Sequence, residues 1–206
     1  MGKCVAYVAA SVVLLGIGAL VAGLAVWYSH DRMNEALSSQ SRTAGCLLSA
    51  TDLGEGVSGY LTLNQRRPGT FVHITGNISR LSEGLHGFHI HAWGVAGAGD
   101  SCRDAKGHYN PDNNNHAAPN ATLRHVGDLG NILSENDGLN QTIAFINIKD
   151  HVISLWGEKS IVGRSIVVHA GQDDLGLGGT EASLKTGDAG GRLACCTIYL
   201  TPESSM

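Results

Sequence analysis

From residue 57 onward the chain alternates. Val57, Gly59, Leu61 and Leu63 interleave with Ser58, Tyr60, Thr62 and Asn64, the period of two that predicts a half-buried β-strand. Val72, Ile74 and Ile78 interleave with His73, Thr75 and Asn77 in the same way, which puts Asn77 on the wet face. Short apolar runs bounded by Gly, Asn, Asp or Ser predict further strands over 46–50, 87–93, 142–148, 165–169 and 194–200. Two segments, 94–131 and 170–191, carry no such period. Loops longer than about 12–15 residues in a compact domain are usually functional or disordered. Many short strands with two long loops predict an all-β sandwich or barrel whose chemistry sits outside its core.

The chain's start has a different pattern. Residues 4–28 carry no charged side chain. As a helix at about 1.5 Å per residue they would reach roughly 37 Å, more than a bilayer core of about 30 Å. That length favours an uncleaved signal anchor. Gly23-Leu24-Ala25 is also an acceptable cleavage site, which leaves a removed signal peptide as the alternative. The division expected is therefore 1–28 as anchor or signal, 29–43 as a polar tether and 44–206 as the domain.

Composition narrows the class. With a net charge of −4 over 206 residues, a nucleic-acid partner is not expected. Three glycosylation sequons begin at Asn77, Asn120 and Asn140, consistent with export of the domain. Outside the apolar segment the cysteines are Cys46, Cys102, Cys195 and Cys196, an even number suited to an oxidising compartment.

The histidines supply the chemistry. In "GFHIHAWG", His89 and His91 fall one residue apart, so a strand projects both rings from one face. Alone, such a pair is most often two ordinary surface histidines. His108, His116, His125 and Asp128 follow in the first long loop, three imidazoles and a carboxylate that make a complete four-coordinate zinc set. His169 ends the apolar run "SIVVH".

The stretches "GLHGFHIHAWG", "GHYNP", "RHVGDLGN", "VGRSIVVHAGQDDLG" and "KTGDAGGRLAC" occur in this order. Together they resemble the signature stretches of copper,zinc superoxide dismutases, over roughly residues 44–200. The resemblance implies a Greek-key β-barrel of about eight antiparallel strands. It implies copper held by His89, His91, His108 and His169, and zinc held by His108, His116, His125 and Asp128, with His108 shared. Asp173 matches a carboxylate that orients one histidine from each metal site, and His86 a non-ligand histidine beside the copper. Arg192 matches the arginine beside the copper, with His108 as the proton-carrying bridge. Lys185 and Arg192 would steer the anion. Cys102 and Cys195 match the family disulfide. The implied activity is dismutation of superoxide to O2 and hydrogen peroxide by alternating reduction and oxidation of copper. The implied partners are a second copy of the chain and a copper-loading protein.

The sequence also departs from that pattern. Ala182 stands where many members carry an acid and Gly171 where many carry a base, so steering is expected to be altered. Cys46 and Cys196 lie on the first and last strands, which a closing barrel makes neighbours. They are read as a second disulfide, the alternative being two buried free thiols. Asn120 lies between zinc ligands, so a glycan there must point outward. One rival function is a copper-delivery or metal-binding module of the same fold without turnover. A zinc hydrolase is excluded because four protein ligands leave no position for water.

Overall fold

The computed structural model describes residues 24, 26–29, 32, 41–96, 102–139 and 141–202. The chain divides into two compact units, Met1–Gln40 and Ser41–Met206. In the first, the described positions Leu24, Val26 to Ser29 and Arg32 are helical. Most of the expected apolar helix over 4–28 lies outside the described residues. Among the described residues no helix is long and apolar enough to cross a membrane.

The second unit is a barrel. Its strands are β1 (Arg42–Ala50), β2 (Ser58–Gln65), β3 (Val72–Ser79), β4 (Gly84–His91), β5 (Asp128–Asn136), β6 (Thr142–Asp150), β7 (Ser165–His169), β8 (Arg192–Thr197) and β9 (Tyr199–Thr201). They order as β2-β3-β6-β5-β4-β7-β8-β1-β9, and a further pairing of β2 with β1 closes eight of them into a ring. Among the described residues all strands pair antiparallel: β3 crosses to β6 and β4 to β7, so the sheet is not a simple meander. Closure satisfies the backbone groups that an open edge would leave unpaired.

Alternation builds the core as expected. Leu61, Leu63, Ile74, Ile78, Phe88, Ile90, Ile166, Val168 and Ile198 are fully buried, whereas Asn77 on the outward face of β3 is exposed. Cys195 and Cys196 are adjacent on β8 and therefore point to opposite faces. Cys196 turns inward and bonds Cys46 of β1, and Cys195 turns outward and bonds Cys102 of the first long loop. The second bridge read from strand adjacency is thus present.

Three local features differ from the sequence reading. The first long loop ends at Gly127, because Asp128 opens β5. The final run is two strands: β8 pairs with the end of β1 at Ser49 and Ala50, and β9 pairs with its start at Thr43–Gly45. The second long loop contains a short helix, α1 (Glu181–Thr186). Thr180 caps it by accepting from the Ser183 N–H at 3.0 Å, and Gly187 ends it in the left-handed conformation.

Candidate metal centre

All six residues of β4 from His86 to His91 are buried, although a barrel strand normally shows one face to water. Phe88 and Ile90 enter the core. His89 and His91 point outward, where the two long loops cover them. β7 lies beside β4 with His91 opposite Ser165, and His169 ends that strand near the same rings. An isolated bridge between His91 and His108 draws the first loop onto β4.

Two quartets result. His89, His91, His108 and His169 offer nitrogens all within 4.8 Å of one another, and so do His108, His116, His125 and Asp128 with their nitrogens and oxygen. All seven residues are buried. His108 belongs to both. Its Nδ1 lies 2.9 Å from Asp128 Oδ1 and 3.3 Å from His125 Nδ1, in the second quartet. Among the described residues its Nε2 is buried with no hydrogen-bond partner, as is Nδ1 of His89. His116 Nδ1 sits 2.8 Å from Asp128 Oδ1 yet is out of line for a hydrogen bond with it. Buried nitrogens aimed at one another without hydrogen bonds are costly unless a cation fills the space. Four imidazoles suit copper, and three imidazoles with one carboxylate suit zinc.

The other ring nitrogens are held in place. Asp173 accepts from His89 Nε2 at 2.9 Å and from His116 Nε2 at 2.7 Å, joining the quartets from behind. His91 Nδ1 donates to the Lys106 carbonyl at 2.7 Å, and His169 Nδ1 to the Gly190 carbonyl at 3.2 Å. His125 Nε2 donates to the Asn114 carbonyl at 3.0 Å. Each bond fixes a tautomer and leaves the inward nitrogen free to ligate. His86 takes no part in either quartet: its Nδ1 lies 2.8 Å from the His169 carbonyl and its Nε2 2.9 Å from that of Ser82. Gly187 is the residue this cradle requires. A Cβ there would fall 1.9 Å from Asp173 Oδ1, at φ +66°.

Burial dominates the electrostatics of the first quartet. Burial, with repulsion from His108, lowers His89 to about 3, and burial likewise lowers His169 to about 4. His91 and His108 are lowered for the same principal reason. These rings are neutral, as ligands must be. Burial opposes charge on His116 too, but the carboxylates of Asp128 and Asp173, one at each ring nitrogen, outweigh it and raise the ring to about 9. Burial would raise Asp128 and Asp173, yet the surrounding histidines hold both well below the usual carboxylate range.

Arg192, half-buried, directs its guanidinium at the carbonyls of Cys102 and Lys106. Lys185 Nζ lies 2.6 Å from Glu181 Oε1, both side chains being largely exposed. Asn77 and Asn120 are exposed, and Asn140 lies outside the described residues.

Residues that sequence reasoning passed over complete the support. Arg124 is buried, pairs with Asp150, and donates from Nη1 to the carbonyls of His125, Val126 and Asp128. Asn131 clamps Asp173 by donating to its carbonyl at 2.8 Å and accepting from its N–H at 2.7 Å. Neither stands in a motif that marks a buried role; only "RHVGDLGN" hints at them by proximity to ligands.

Comparison with known proteins agrees with this geometry. The family model described as copper/zinc superoxide dismutase matches residues 57–198. Superoxide dismutase [Cu-Zn] 4 of Dictyostelium discoideum is 49% identical over 142 residues, 69% of this chain and 90% of the relative. Superoxide dismutase [Cu-Zn] 5 of the same organism is 47% identical over 72% of this chain and 93% of its own length. Superoxide dismutase [Cu-Zn] A of Xenopus laevis is 48% identical over 71% of this chain and 91% of its own length. With a barrel closed by eight antiparallel strands, two histidine-rich quartets joined at His108, and matches of this extent, the chain belongs to the copper/zinc superoxide dismutase family.

Proposed function

We propose that this chain dismutates superoxide, with copper held by His89, His91, His108 and His169 and zinc by His108, His116, His125 and Asp128. The observation that carries this reading is the shared ring of His108, with Nδ1 in one quartet and an unpartnered Nε2 in the other. Bound copper supplies one-electron redox chemistry, and bound zinc a fixed charge without redox chemistry. Overall, two superoxide anions and two protons give one O2 and one hydrogen peroxide. Nε2 of His108 is the atom at which this chain would carry a proton toward the peroxide. Asp173 keeps His89 and His116 ligating through Nδ1 by accepting at both Nε2 atoms. Arg192 docks the anion beside His91, since both donate to the Lys106 carbonyl.

We infer that the domain lies outside the cytosol, behind a single N-terminal anchor or after signal cleavage. The uncharged run over 4–28, the sequons and the two disulfides support that location. The functional unit in this reading is a homodimer. Leu47 and Tyr60 face each other across β1 and β2 and are 63% and 43% exposed, and Tyr199 beside them is 46% exposed. A second copy covering this apolar face would remove it from water.

The test is turnover of superoxide by the copper- and zinc-loaded protein, with metal content measured in parallel. We expect turnover in the wild type, and Arg192→Glu to lose far more activity than metal. Copper bound without turnover would overturn the reading and favour a delivery module.

A further inference from the structure

Beside Arg192 lies a cavity of about 420 Å³ whose other lining residues are Thr51, Asp52, Leu53, Arg103, Gly190 and Gly191. Backbone carbonyls beside its lining residues hold two rings of the first quartet. Gly190 supplies the carbonyl that holds His169. Lys106, at the end of the turn that carries Arg103, supplies the carbonyl that holds His91.

The backbone under Arg103 is fixed. Arg103–Ala105 form a single 3-10 turn, and the guanidinium of Arg192 spans it, donating to Cys102 just before it and Lys106 just after it. Cys102 is also tied to β8 through Cys195. The opposite wall is fixed as well. Thr51 donates its N–H to the Leu193 carbonyl at 2.8 Å and its hydroxyl to the Arg192 carbonyl at 2.7 Å. Leu53 lies over Gly191, where a Cβ would come within 2.4 Å of its Cδ2.

The charges of this cavity are Arg103, Arg192 and Asp52. Arg103 decides their sum: with it the mouth is positive, without it Arg192 and Asp52 cancel. Among the described residues Arg103 forms no ion pair and its side chain makes no hydrogen bond, so its charge is not neutralised locally. The charged pair on α1 contributes no such excess, since Lys185 is matched by Glu181 at 2.6 Å.

We propose that Arg103 is a substrate-steering residue, making with Arg192 the positive mouth through which the superoxide anion reaches the copper site. This rests on the dismutase reading above. A cation at the mouth of a cleft raises the local concentration of a small anion, and the effect fades as salt shortens the Debye length from about 30 Å at 0.01 M to about 3 Å at 1 M. Asp52 on the facing wall acts in the opposite sense.

The test uses the copper- and zinc-loaded protein and measures kcat/KM by pulse radiolysis across ionic strength. Arg103→Gln should lower the rate about two- to threefold at low salt and flatten its salt dependence, the curves meeting near 1 M. Arg103→Lys should follow the wild type, and Asp52→Asn should raise the low-salt rate by a similar factor. Metal content should be equal in all four proteins. Azide, a monovalent anion that ligates Cu(II), should bind Arg103→Gln about two- to threefold more weakly at low salt, and equally at high salt. Arg103→Gln tracking the wild type at every ionic strength overturns the inference alone. A fully metallated wild type without turnover overturns the dismutase reading and this inference together.

Discussion

Replacing Arg124 with Met tests how the second quartet is held. Arg124 is 3% exposed and its Nη2 pairs with Asp150. Its Nη1 serves the carbonyls of His125 at 3.2 Å, Val126 at 3.3 Å and Asp128 at 2.6 Å, so one side chain pins the backbone of two zinc-set residues. Breaking a buried ion pair from one side costs about 3–5 kcal/mol, because the other charge is stranded. Two details place this pair at the lower end. Asp150 Oδ1 keeps the N–H groups of Val152 and Ile153, each at 2.8 Å, so the stranded carboxylate retains part of its solvation. Nε of Arg124 is itself buried without a partner among the described residues, and the substitution removes that unsatisfied donor. We expect a loss of about 3 kcal/mol, which for a domain of this size lowers Tm by about 6–12 °C. Urea and thermal unfolding of the metal-free, oxidised protein read that loss directly. In the metallated protein, zinc should be lost to a chelator before copper, with affinity down about 10–100-fold, because His125 and Asp128 serve zinc alone. Arg124→Met/Asp150→Leu should recover part of the stability. A loss under about 1 kcal/mol with unchanged zinc retention would refute the reasoning.

Two further outcomes follow from the same geometry. With Cys102–Cys195 closed, the bridge Cys46–Cys196 completes a ring of about 59 residues, and opening a ring of that size destabilises by about 4 kcal/mol. Cys46→Ala/Cys196→Ala should therefore shift the denaturant midpoint strongly; an unchanged midpoint contradicts this. The metal-free domain should lose stability on acidification. His89 and His169 refuse protons until about pH 3 and 4, whereas the unfolded chain accepts them near pH 6.5. Stability is thus lost as pH falls from about 6.5 toward 3. His116, raised to about 9, already contributes fully below pH 6.5 and loses that contribution only as pH rises through 9. A Tm that stays flat or rises between pH 7 and pH 4 counts against the buried, neutral quartet.

The legible parts of this fold are those where one residue type recurs at a fixed step. Alternation placed β2 and β3, and the step of two placed His89 and His91 on one face. β5 was hidden because its start carries a ligand and glycines rather than alternating apolar residues. Asp128, Gly130 at φ +75° and Asn131 read as loop, and pairing with β4 shifts register between Gly87 and His89. α1 was hidden by its length, since six residues give no helical period to detect. Arg124 and Asp150 look like surface charges in sequence, and only folding reveals that each is buried against the other. Lys185 is the converse case. Its match to a steering position is visible in the sequence, but its ion pair with Glu181 depends on α1 placing that residue one turn earlier.

The most direct measurement is anomalous diffraction at the copper and zinc edges from crystals of the fully metallated protein. We expect copper among His89, His91, His108 and His169, zinc among His108, His116, His125 and Asp128, and the ring of His108 touching both ions. Two ions with no imidazole in common, or a single ion serving all seven side chains, would contradict the shared-ring centre.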